Sequence, residues 1–126
     1  MFDFWFDTWV IAPDGSQLTA LRTHTPLTPN PTEQHQPAWS PDGRRIAYVE
    51  CPWAWNVCSS SVVGVMNADG TGAVRLVAAS GYAHPSWSPG GQVIAFGSAN
   101  TIQWVSADGS QRGIIISNGH SPAWRP

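Results

Sequence analysis

A motif that returns along the chain limits its fold more than any other feature. Residues 36–50 read QPAWSPDGRRIAYVE, residues 84–97 read HPSWSPGGQVIAFG, and residues 120–126 read HSPAWRP. A second motif alternates with the first: VIAPDGSQLTAL at 10–21, VMNADGTGAVRLV at 65–77 and VSADGSQRGII at 105–115. Trp39, Trp87 and Trp124 stand 48 and 37 residues apart, and Asp14, Asp69 and Asp108 stand 55 and 39 apart. The unit is therefore about 40 residues long, the period of propeller blades. Insertions at 23–33 and 51–60 account for the longer spacings.

Each unit reads as two hairpins. A short strand with Ala38 and Trp39 turns through Pro41-Asp42-Gly43 into a strand over 45–49. A strand over 62–66 then turns through Asp69-Gly70 into one over 74–77. Proline presets the first turn position and glycine takes the positive φ that follows, so the turn chemistry is specific. The strand residues are β-branched or aromatic and alternate only in part, as in strands packed on both faces. No window carries the i, i+3, i+4, i+7 pattern of a capped helix. The expected class is all-β, a partial β-propeller of four-stranded antiparallel blades. Residues 1–22 are expected to end one blade, with a strand remnant over 2–6. Residues 36–79 form a whole blade with a Cys-bracketed insertion, 83–117 a second, and 120–126 the first strand of a further or closing blade.

These repeats resemble those of the TolB-type β-propeller, whose signature is similar to PAWSPDG-x-x-IAF followed by VMNADGTG-x-x-x-LT. The match runs over 37–48, 65–76, 85–96 and 105–114, and the repeats span about 100 of the 126 residues. It departs at Pro89-Gly90-Gly91, where the turn aspartate is lost, and at Trp124-Arg125-Pro126, where the motif stops halfway. The resemblance implies a six-bladed ring and an envelope or extracellular setting, and it implies a binding scaffold or the substrate-gating propeller of a prolyl-oligopeptidase-like hydrolase. Fold alone does not choose between them.

Three blades cannot close a ring, since propellers have about four to eight. An open arc exposes sheet edges and faces. Two readings follow: two copies pair into one six-bladed ring, or the chain is a fragment of a longer one, as the apolar start and the stop in mid-motif suggest.

Composition removes several functions. The six basic residues are all Arg and are scattered, and the net charge is −2, so no basic patch exists for a nucleic-acid backbone. No apolar run reaches 18 residues, so no membrane span is expected. The sequence holds no G-x-S-x-G, P-loop or GxGxxG, and Glu33 and Glu50 are its only glutamates. Neither a catalytic set nor a cofactor is expected.

Four sets of residues remain. Cys51 and Cys58 bracket a loop without CxxC spacing or a neighbouring His, and read as a disulfide in an oxidising compartment, periplasmic or extracellular; two free thiols in a cytoplasmic protein are the alternative. Trp53 and Trp55, alternate residues in that loop, point the same way if the segment is extended. They then form a platform for a peptide or sugar, or else fold back over the blade. His35, His84 and His120 lie three or four residues before a motif Trp, where each blade enters its first, innermost strand. They form either a ligand cluster at the channel mouth or solvated residues of the repeat. Asp14, Asp42, Asp69 and Asp108 stand alone in their turns and are expected to bond local amides rather than a metal ion. The expected function is a non-catalytic scaffold binding a protein, a peptide or a second copy of itself. The alternatives are the hydrolase propeller and a carbohydrate-binding module.

Overall fold

The computed structural model describes residues 8–17, 19–21, 32–52, 58–119 and 122–125. The described residues form strands and turns and no helix. Strands β1 (Thr8–Val10) and β2 (Thr19–Leu21) make a hairpin. Strands β3 (Thr32–Trp39), β4 (Arg45–Pro52), β5 (Ser61–Asn67) and β6 (Val74–Ala79) form an antiparallel sheet in sequence order. Strands β7 (Ser86–Trp87), β8 (Val93–Ser98), β9 (Thr101–Ser106) and β10 (Arg112–Ser117) form a second sheet of the same order. These are the two four-stranded units expected from the repeat.

The first strand of the first sheet is longer than its motif suggests. β3 begins at Thr32 because β4 runs on to Pro52 and supplies partners, Thr32 facing Pro52 and Glu33 facing Cys51. The end of the expected 23–33 insertion is therefore strand. The expected strand over 2–6 lies outside the described residues.

Turn chemistry fixes the hairpins. Asp42, Asp69, Asp108 and Asp14 each accept the amide of the residue two positions on: Arg44 at 3.1 Å, Thr71 at 3.0 Å, Ser110 at 2.9 Å and Ser16 at 2.9 Å. Such Asx turns close the corner while the following glycine takes φ near +80°, as Gly70 does at 85°. Where the aspartate is lost, Ser88 holds the turn, its Oγ accepting the Val93 amide and its carbonyl the Gly91 amide.

The first sheet is packed on both faces, and its strand alternation sorts the two sets. Ile46, Tyr48 and Met66 face the β1–β2 hairpin and bury Leu21. Ala47, Val49, Val63, Val65 and Val77 belong to a larger core with Ile94, Phe96 and Val105 of the second sheet. Each Val, Leu, Ile, Met or Phe among them contributes about 1.5–3 kcal/mol by leaving water. The layers are also in register through an indole. Trp87 Nε1 donates to the Ala38 carbonyl at 2.9 Å, and Trp124 Nε1 donates to the Ser86 carbonyl at 2.9 Å. In both, a motif Trp bonds the residue just before the preceding motif Trp. Arg45 adds a third tie, donating to the Gly91 carbonyl at 3.0 Å while its guanidinium lies 4.9 Å above the Trp87 ring.

Candidate binding rim

Antiparallel order puts the Asp-Gly turns at one end of the sheets and the longer connections at the other. The start of β3, the β4–β5 loop and the β6–β7 connection therefore share one rim. Functional side chains concentrate on loops held by such a frame.

The β4–β5 loop is closed at its base. Cys51 and Cys58 are joined by a disulfide with Cα atoms 5.5 Å apart, and both residues are buried. Closing a loop this short removes about 2.5 kcal/mol of unfolded-chain entropy. Trp53 and Trp55, the expected platform, lie outside the described residues.

The β6–β7 connection is pinned by both sheets. Ser61 Oγ donates to the Gly81 carbonyl at 2.6 Å, and the Gly81 amide donates to the Ser59 carbonyl at 3.3 Å. From the second sheet, Ser98 Oγ accepts the Ser80 amide at 3.0 Å, and the Gly97 amide donates to the Ala83 carbonyl at 2.7 Å. Tyr82 is therefore exposed on a fixed loop. Its ring meets His35 edge-on at a centroid distance of 5.3 Å. Gln36 and His84 are joined twice: Gln36 Oε1 accepts the His84 backbone amide at 2.9 Å, and Gln36 Nε2 lies 2.9 Å from His84 Nδ1.

His35 and His84 thus lie on one rim, but they are not the same position of the repeat. Counting back from Trp39 and Trp87, His84 corresponds to Gln36 and His35 to the buried Ala83. The backbone agrees: Gln36 and His84 both take positive φ, 53° and 46°, immediately before a proline. Proline brings no amide to the ladder, and the β3–β4 register shifts between His35 and Ala38. His120 lies outside the described residues. Among the described residues no three His, Cys, Asp or Glu side chains are grouped to hold a metal ion.

Two rim residues, Gln36 and Tyr82, escaped sequence reasoning. Gln36 carried a usable signal, its equivalence to His84 before the shared Pro. Tyr82 carried none, since only the folded connection brings it to His35. A polar row on the face toward β1–β2 was also missed. Arg75 grips Glu50 through two bonds, Nε to Oε2 at 3.0 Å and a guanidinium NH2 to Oε1. Burial first, and then the Glu50 charge, pushes the Tyr48 hydroxyl up to about 12. Glycine is required at position 64, because a Cβ there would lie 2.6 Å from the Tyr48 ring. The row packs the face toward β1–β2.

No family model matches the chain, and no curated protein matches it. Solved structures do. An oligogalacturonate lyase in complex with manganese superposes with a TM-score of 0.63 at 13% identity, over 86% of this chain and 28% of that one. TolB from Acinetobacter baumannii superposes with a TM-score of 0.61 at 21% identity, over 86% of this chain and 26% of that one. Both are β-propellers. The chain spans about a quarter of the length of these structures. With its two four-stranded antiparallel sheets stacked through one core, the chain has the fold of part of a β-propeller.

Proposed function

We propose that this chain is a non-catalytic propeller scaffold that binds a protein partner, through an extended peptide segment, on the rim of His35, Gln36, Tyr82 and His84. The observation that supports this reading is the double anchoring of the β6–β7 connection. It presents Tyr82 and His84 beside His35 on a backbone tied to both sheets. A rim fixed before binding loses little entropy when a ligand arrives. Trp53 and Trp55, carried by the loop that the Cys51–Cys58 bridge closes, would add two aromatic anchors. The bridge and the likeness to TolB support a periplasmic or extracellular setting.

Selection of peptides against the immobilised chain tests the proposal. Binders should lose at least tenfold in affinity in both the Trp53→Ala/Trp55→Ala and the Tyr82→Ala/His84→Ala double variants. Peptides that bind both variants as well as the parent would overturn it. A glycan array read in parallel covers the carbohydrate-binding reading, which the likeness to an oligogalacturonate lyase supports. Glycan hits without peptide hits would replace the peptide by a saccharide.

A further inference from the structure

The two ends of the stack carry the two halves of a contact that the interior makes twice. Six residues beyond each Asp-Gly turn glycine stands an aliphatic side chain on the face toward the following layer: Leu21, Leu76 and Ile115. Leu76 and Ile115 are both bulge residues, skipped by the registers Val63–Val77 to Gly64–Arg75 and Ile102–Ile116 to Gln103–Ile114. The bulge turns the extra side chain toward the next layer. Leu21 there meets Gly70, and Leu76 meets Gly109, each 3.2 Å from where that glycine's Cβ would be. Three residues before each turn aspartate stands the opposite half, Ile11, Met66 and Val105, facing the preceding layer. Met66 and Val105 are 1% and 0% exposed in the two interior junctions.

The outer members of both series are uncovered. Ile115 is 52% exposed, in an apolar groove with Ala95, Ile102, Ile116 and Trp124, and Ile11 is 58% exposed at the opposite end. Among the described residues nothing lies within 4 Å of the Gly15 Cβ position, as at a turn awaiting an Ile115. The indole ladder is open in the same sense, since Trp39 Nε1 has no acceptor among the described residues, whereas Trp87 and Trp124 have theirs.

We propose that the groove beside Ile115 is a docking surface for the Ile11 end of a second copy of this chain. The Gly15 turn of one copy then seats on Ile115 of the other, as Gly70 seats on Leu21 and Gly109 on Leu76. Both ends of each copy are used when two copies meet head to tail, so the contact closes as a pair. A hairpin and two sheets make three layers, and two copies give six, within the four-to-eight range in which propeller rings close. The proposal concerns the sheet faces and is independent of what the rim binds.

Light scattering on the full chain tests it. The parent should weigh about 27 kDa, twice the 13.6 kDa of one chain. Ile115→Glu and Ile11→Arg should each weaken association by roughly 30-fold or more, since each puts a charge into the junction. Both positions are over half exposed in the single chain, so neither change threatens its fold. The decisive step is to mix the two variants. A closed mixed pair has one unaltered junction and one that opposes the two new charges, so the pair mass should return. A parent of single-chain mass at about 100 μM, pairs that survive either substitution, or variants that fail to recover on mixing would each overturn the proposal.

Discussion

The two four-stranded sheets come from the same repeat, yet one is covered on both faces and the other on one. The difference does not follow strand hydrophobicity. β10 carries Ile115 and Ile116 on its open face, and they are 52% and 45% exposed. β6 reads VRLVAA, is less apolar, and buries Val77 and Ala79. Burial in a stacked fold is conferred by the next layer, and a strand cannot acquire it alone.

Core truncation should break the comparison most sharply. Phe96→Ala, on the covered face of the second sheet, should cost about 3–5 kcal/mol in urea unfolding. Ile115→Ala on its open face should cost at most about 0.5 kcal/mol when measured on the single chain. Equal costs would mean that the two faces do not differ in the way the layers suggest.

Reducing the Cys51–Cys58 bridge should cost about 2.5 kcal/mol. Hydrogen exchange should show the loss in β4 and β5, which the bridged loop connects, before β8 and β9, whose connection is short. Glycine substitution sharpens the contrast further. Gly64→Ala should cost about 1–3 kcal/mol, because Tyr48 is 2% exposed and has nowhere to move. Gly113→Ala meets the Trp104 indole at a similar 2.6 Å, but that ring is half-buried and can yield, so the cost should be smaller.

Trp87→Phe should remove about 1 kcal/mol with the bond to Ala38, and Trp124→Phe less, since Trp124 is 38% exposed.

The pH dependence separates the sheets by one hydroxyl, and only at the alkaline extreme. Tyr48 in the first sheet occupies the repeat position of Phe96 in the second. Its folded pKa of about 12 lies above the unfolded value near 10. The contribution is complete below about pH 10 and is lost as pH rises toward 12, because the unfolded chain ionises first. Tyr48→Phe should abolish that alkaline fall. At the acid end, hydrogen bonds from the Ser110 side chain and amide, and then from Ser106, hold Asp108 at about 2. Its contribution is present above the unfolded value near 4 and fades as pH falls toward 2, which Asp108→Asn should flatten.

Much of this was legible in the residues. Aspartate followed by glycine between apolar runs specified four of the turns, because its side chain satisfies the amide two residues on. The bracketing of 52–57 by two cysteines pointed to the bridge, with free thiols as the alternative, and the structure holds the bridge. Where the reading went short, the cause was pairing between distant segments. Thr32 and Glu33 look like loop until β4 extends past Val49 to receive them. The shared histidine motif hid a one-residue offset, visible only when Gln36 and His84 show the same positive φ. Tyr82 is an ordinary residue until the connection that carries it is tied to Ser61 and Ser98.

The sequence by itself determined the local elements: turn positions, strand alternation, the period of about 40 residues and the Trp that opens each unit. These depend on φ preferences and on neighbours within a few residues, so they are written wherever the motif is written. Only the tertiary structure decided which equivalent positions are core and which are surface. Leu21, Leu76 and Ile115 occupy the same place in three repeats, and their exposure runs from 4% to 52%. The physical reason is that the hydrophobic effect acts on area removed from water, and that area is set by whichever layer stacks next.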